Sequence, residues 1–228
     1  MMFRIIPLIL VMLSCQKSTP IQNIATPMKQ YSFLALGDSY TIGESVPAQD
    51  NFPNQTVQLL KNNGFNFNAP EIVAKTGWTT DELQIAINAR TLLPKYDFVT
   101  LLIGVNNQYR GRTVDNYKPE FENLLKQAIQ FASNDTTHVI VISIPDWGAT
   151  PFATGRDRVQ IAKEIDDYNA ANKMIATAYK VHYIDITPGT REAINDPSLV
   201  AGDGLHPSAK EYKRWAEKLS AFIKTRLP

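Results

Sequence analysis

YSFLALGDSYTIGES, residues 31–45, begins as an apolar run and then meets Gly37-Asp38-Ser39. Tyr31–Leu36 reads as a buried strand. A glycine, a carboxylate and a hydroxyl do not continue such a strand comfortably, so the reading ends it at Leu36 and leaves Ser39 at the break. A serine there is a candidate nucleophile, which the tripeptide alone does not establish.

Four later runs share the strand's character: Glu71–Lys75 (EIVAK), Phe98–Ile103 (FVTLLI), His138–Ile144 (HVIVISI) and Val181–Ile186 (VHYIDI). The middle ones are almost continuously apolar, as strands covered on both faces are. Helical patterns lie between them. Residues 113–133 place Phe121, Leu124, Leu125, Ala128 and Ile129 on one face, and residues 157–180 read as one long helix. Residues 208–227 carry a stripe of Tyr212, Trp215, Ala216, Leu219, Phe222 and Ile223. Thr79 with Glu82, and Ser208 with Glu211, have the spacing of capping boxes. Strand–helix units of this length imply right-handed crossovers. The expected fold is α/β: a three-layer α/β/α sandwich around a five-stranded parallel sheet, doubly wound. In such folds ligands bind beyond the carboxyl ends of the strands.

Four stretches reach that rim: Gly37-Asp38-Ser39-Tyr40-Thr41, Thr76-Gly77-Trp78, Gly104-Val105-Asn106-Asn107, and AGDGLHPS with Asp203 and His206. A serine hydroxyl is a poor nucleophile unless a base removes its proton during attack. His138 and His182 fall within strand patterns, where packing is the simpler role. His206 lies on a loop before the last helix, and Asp203, three residues earlier, is able to accept its Nδ1–H. Acyl transfer also needs donors for a developing oxyanion. Gly77 N–H, the Asn106 side-chain amide and Ser39 N–H are the candidates. Each stretch also has a plain reading as a turn or loop; their joint placement on strand ends favours chemistry. A Gly-x-Ser-x-Gly elbow is excluded, because Thr41 stands where it needs a glycine.

The 228 residues are 44% apolar and carry a net charge of +1, which suits a globular core and gives no footing for nucleic acid. Residues 1–14 hold Arg4 and an apolar run from Ile5 to Leu13, far too short to span a bilayer. They read as a signal peptide. The run ends at Cys15, the single cysteine, and so resembles a bacterial lipoprotein signal in which that cysteine is lipidated. Residues 15–30 would then be a lipidated cysteine and tether, and 31–228 the folded domain. The expected location is extracytoplasmic, on a membrane through the lipid anchor only. A monomer without disulfides is expected. No Cys/His cluster or HExxH pattern calls for a metal or cofactor.

From GDSYT through IGVNN to DGLHPS, the sequence resembles the SGNH hydrolases, also called the GDSL esterase/lipase family. The resemblance implies a flavodoxin-like SGNH hydrolase fold. It implies Ser39 as nucleophile, His206 as base, Asp203 as its orienting acid, and Ser39, Gly77 and Asn106 as the oxyanion hole. The chain departs from the family pattern at Tyr40, where leucine is usual, and at Asn107, where aspartate is usual. The expected activity is hydrolysis of carboxylic esters through an acyl-serine, on short-chain acyl esters or acetyl esters of carbohydrate. A lysophospholipid, a thioester and a non-catalytic carbohydrate-binding role are the alternatives. Tyr40, Trp78, Asn107, Tyr109 and Trp147 are candidate substrate contacts, while Arg110 and Arg112 fit either an anion or a solvated surface.

Overall fold

A computed structural model describes Met1 and residues 29–228. The signal segment, Cys15 and most of the tether lie outside the described residues. Among the described residues no helix is long and apolar enough to cross a membrane, and no cluster of His, Cys, Asp and Glu is arranged for a metal.

In chain order the strands are β1 (Gln30–Tyr31), β2 (Phe33–Asp38), β3 (Asn66–Phe67), β4 (Glu71–Lys75), β5 (Phe98–Leu102), β6 (Val139–Ile142) and β7 (His182–Ile184). The α-helices are α1 (Ser39–Ile42), α2 (Phe52–Asn62), α3 (Thr80–Asn88), α4 (Val105–Tyr109), α5 (Val114–Phe131), α6 (Arg158–Ala178), α7 (Thr187–Arg191) and α8 (Ala209–Lys224). Five strands form one parallel sheet in the order β4-β2-β5-β6-β7. Numbering those five in sequence gives 2-1-3-4-5, the flavodoxin-like order. The strand order reverses between β2 and β5, and that is where such sheets open a crevice at their carboxyl ends. β1 and β3 make a separate parallel pair.

Burial explains why these segments are strands. Every residue of β2, β5 and β6 is buried, and the branched and aromatic side chains fill both faces. α2 and α8 pack together, with Phe52 6.1 Å from Trp215 and 6.5 Å from Tyr212, ring to ring. α3, α5 and α6 pack in series against the sheet. The stripe read on α8 is the buried one, with Tyr212, Trp215, Ala216, Leu219 and Ile223 all inside.

Three expectations are corrected and one element is added. First, the strand does not end at Leu36: Gly37 and Asp38 stay in β2 and pair with Ala74 and Lys75 of β4. Gly37 is required by proximity rather than by a turn. A Cβ there would meet Thr41 Oγ1 at 2.1 Å and the Leu102 carbonyl at 2.5 Å. Second, Tyr31 belongs to β1, not to β2. Third, the Ser208 box is only half formed. Ser208 Oγ accepts the Glu211 N–H at 3.4 Å, but Glu211 turns its carboxylate to Trp215 Nε1 at 2.8 Å and to Arg214 at 3.0 Å. The Thr79 box keeps its return bond, with Thr79 N–H donating to Glu82 at 2.9 Å. The added element is α2, which lacks a counterpart in the sequence reading. His138 and His182 stand at the amino ends of β6 and β7 and stack on Phe98 and Phe222, as packing residues do.

Candidate active site

Ser39 is the first residue of α1, directly after β2. The first N–H groups of a helix have no partner within it. Asp38 takes one of them: its Oδ1 accepts from Tyr40 N–H at 3.0 Å. The turn is short because α1 stops at Gly43, whose φ of 78° suits glycine. Ser39 is nearly buried, and its hydroxyl makes no hydrogen bond among the described residues.

The opposite wall comes from the loop before α8. His206 is buried, and its Nδ1 lies 2.6 Å from Asp203 Oδ2. A carboxylate only accepts, so Nδ1 carries the proton and Nε2 is left as the basic nitrogen. Asp203 Oδ1 takes the N–H groups of Leu205 and His206, each at 3.0 Å. Asp203 Oδ2 also takes the Ser45 hydroxyl at 2.7 Å. Partial burial alone would raise this carboxyl. The hydrogen bonds from His206, Ser45 and the two backbone groups outweigh it and hold Asp203 far below the ordinary carboxylate range.

β5 ends at Leu102, and Gly104 two residues on caps α4; its φ of 131° and tight contact with Tyr117 and Ile144 admit only glycine. α4 then starts and presents Asn106. Its Nδ2 donates to the Trp78 carbonyl at 2.9 Å, which ties α4 to the Gly77-Trp78 turn. Gly77 has φ of 82°, and its N–H has no partner among the described residues. Its carbonyl accepts from Arg110 Nη2 at 2.6 Å.

One cleft of about 450 Å³ brings these elements together. Ser39, Tyr40, Val105, Asn106, Tyr109, Trp147, Phe152, Leu205 and His206 line it. No hydrogen bond yet joins Ser39 to His206; such contacts are often long without substrate. The outer wall is aromatic. Tyr109 meets Trp147 edge-on at 5.4 Å, and Phe152 lies 5.9 Å from Trp147 and 6.2 Å from Tyr109. Arg156 covers the three rings at 5.5–5.9 Å. Trp147 is held from behind by Gln108, whose Oε1 accepts its Nε1–H at 2.8 Å and whose amide donates to Glu164 at 2.6 Å.

Not every candidate reaches the cleft. Asn107 is fully buried and faces the other way. Its Oδ1 accepts Thr80 N–H at 3.1 Å and its Nδ2 donates to Thr80 Oγ1 at 2.7 Å. It is therefore a brace between α4 and α3 rather than a substrate contact. The Trp78 side chain packs on the core, and only its carbonyl serves the site, through Asn106. Gly77 does not line the cleft wall; it adjoins it through that same turn. Arg110 and Arg112 are engaged by Glu82 and Asp81, at 3.3 and 2.6 Å, and neither lines the cleft. The sequence reading missed Phe152, Leu205 and Val105. Phe152 stands in PDWGATPF, where the aromatic spacing around Trp147 was the available signal.

A buried acid directly precedes Ser39. Asp38 Oδ2 has no hydrogen-bond partner among the described residues, and burial pushes its carboxyl up to about 7 despite the N–H from Tyr40.

A family model, the GDSL-like lipase/acylhydrolase family, matches residues 35–214. The chain belongs to that family. Membership makes it a carboxylic ester hydrolase, and the flavodoxin-like sheet is that of its GDSL-like relatives of known structure. A lipase/acylhydrolase from Enterococcus faecalis shares 21% identity with a TM-score of 0.68, over 88% of this chain and 98% of the other. The acetylxylan esterase Axe2 from Geobacillus stearothermophilus shares 19% identity with a TM-score of 0.68, over 85% and 94%. The psychrotrophic esterase EstA from Pseudoalteromonas sp. shares 14% identity with a TM-score of 0.66, over 86% and 97%. Among curated proteins none matches the sequence. At these identities the GDSL-like likeness speaks for the fold.

Proposed function

We propose that this GDSL-like hydrolase cleaves short-chain carboxylic esters, acetyl esters of carbohydrate foremost, through an acyl-Ser39 intermediate. The observation that carries this reading is the 2.6 Å contact between His206 Nδ1 and Asp203 Oδ2, on a histidine whose cleft also holds Ser39 and Asn106.

Ser39 Oγ attacks the ester carbonyl while His206 Nε2 takes its proton. Asp203 stabilises the imidazolium. The negative charge built on the carbonyl oxygen is met by Asn106 Nδ2, Gly77 N–H and Ser39 N–H. Collapse of the tetrahedral intermediate breaks the bond to the alcohol oxygen, and His206 returns the proton to it. Water then repeats the two steps on the acyl-serine and frees the carboxylic acid.

A short acyl group suits a cleft in which Tyr40, Val105 and Leu205 share the lining with Ser39. The alcohol then lies along Tyr109, Trp147 and Phe152. Tyr109 and Phe152 are half-exposed while Trp147 is buried behind them, and such rings stack on the apolar face of a sugar or on an acyl chain, so a lysophospholipid is the second reading. Attachment to a membrane through Cys15 belongs to the same proposal, resting on the signal-like residues 1–14 and the placement of the single cysteine.

A fluorophosphonate probe followed by an ester panel tests it. Labelling that is lost in Ser39→Ala, with kcat/KM highest for acetyl esters, is the expected outcome. Equal labelling of Ser39→Ala removes the acyl-serine; a preference for long acyl chains replaces acetyl esters with lipid.

A further inference from the structure

The acyl-transfer steps use nothing of the segment that follows the nucleophile, yet that segment reaches both sides of the site. α1 ends at Gly43, and two residues later Ser45 also adopts a left-handed backbone, at φ 65°. That region is uncommon for a residue with a Cβ. Such a conformation persists when surrounding contacts hold it. Here there are two. Ser45 Oγ donates to Asp203 Oδ2 at 2.7 Å, across 158 residues of sequence. The Thr76 hydroxyl hydrogen-bonds the Glu44 carboxylate, and Thr76 directly precedes Gly77.

The Ser45 contact falls on a decisive atom. Asp203 Oδ1 is fixed by two backbone N–H groups, while Oδ2 is shared between His206 Nδ1 and Ser45 Oγ. With only the imidazole on Oδ2, the carboxylate plane and the ring could turn together. A second donor from another element fixes the plane, and through it the direction of His206 Nε2. Ser45 rides on the same short segment as Ser39, so the bond also sets the loop that carries the base at a fixed offset from the nucleophile.

We propose that Glu44-Ser45 is a strut registering three parts of the site, and that Ser45 is a positioning residue acting through Asp203. This rests on the acyl-serine reading above. A hydrogen bond that orients a base is realised most fully in the transition state, so its loss lowers kcat and leaves KM in place.

The test is a double-mutant cycle on a small acetyl ester. Ser45→Gly keeps the left-handed backbone without strain and removes only the hydroxyl. It is expected to lower kcat about tenfold with KM within about twofold. In an Asp203→Ala background the same change is expected to alter kcat less than about twofold, because its partner is gone. Ser45→Asn, which tolerates this backbone region and retains a donor, is expected to keep more activity than Ser45→Gly. Thermal melts of each variant report folding. A wild-type kcat in Ser45→Gly overturns the proposal. So does an equal loss in both backgrounds, which would mark a structural role. Either result leaves Ser39→Ala inactive and the acyl-serine reading standing; activity surviving in Ser39→Ala would remove that reading itself.

Discussion

Asn106 Nδ2 donates to the Trp78 carbonyl at 2.9 Å, so the side chain from the end of β5 is oriented by the turn from the end of β4. One amide hydrogen is held in this way and the other is left for the cleft. The bond joins two candidate oxyanion donors, Asn106 and the Gly77 turn, into one rigid unit, and preorganisation of that kind costs no reorganisation during reaction.

Asn106→Ala should therefore lower kcat by roughly 10²–10³ with little change in KM. Steady-state hydrolysis of an acetyl ester, with circular dichroism to confirm folding, measures it. Full activity would take Asn106 out of the oxyanion hole.

Asn107→Ala, one residue on, should behave in the opposite way. It removes partners from two buried groups of Thr80. Unfolding in urea should show a loss of about 1–3 kcal/mol, while KM across the ester panel stays put. A selective rise in KM would return Asn107 to the substrate.

Phe152→Ala removes one ring of the outer aromatic wall without touching Ser39, His206 or Asp203. KM for esters of bulky or glycosidic alcohols should rise roughly tenfold, and KM for ethyl acetate should hardly change. A uniform effect on both would place the alcohol elsewhere.

Asp38 supplies a pH signature. Its carboxyl titrates near 7 in the folded chain against 3.8 as the ordinary value. Between those values the folded state binds more protons, so stability from this group is full below about 4 and falls as pH rises to 7. Asp38→Asn does not ionise and still offers an acceptor to Tyr40 N–H. From pH 4 to pH 8 the unfolding free energy should shift in favour of the variant by ~2–4 kcal/mol. Parallel pH curves for the two proteins would refute it. Asp203 has the reverse sign: its folded-state value is depressed, so its contribution is present above the ordinary range and fades only in strong acid.

The sheet was legible because its central strands β2, β5 and β6 are buried on both faces and mostly apolar, while the edge strands β4 and β7 are partly exposed. Glu71–Lys75 is bounded as read, and the other sheet strands differ at their ends. The GDS reading erred because a glycine inside a strand carries two meanings, and the distance from Gly37 to Leu102 is invisible in one dimension. α2 has no counterpart in the sequence reading; its Pro53 lies in the first turn, where proline is allowed, and Asn51 caps the helix by accepting Asn54 N–H at 2.9 Å. Ser39 and Asn106 were readable as residue types at strand ends, and Asp203 and His206 as a pair in the loop before the last helix. Which of the neighbouring Asn106 and Asn107 faces the cleft was not, because helical rotation decides it. Ser45 gave no signal at all: its partner is remote, and a serine after a turn is ordinary.

The bond between Ser45 and Asp203 spans most of the polypeptide, and this fixes when the enzyme becomes competent. A nascent or partly threaded chain that has delivered Ser39 still lacks His206, which follows 167 residues later. On the proposed mechanism, ester turnover requires the segment before α8 to be docked beside Ser39, so it distinguishes a finished molecule from one that has merely assembled its sheet.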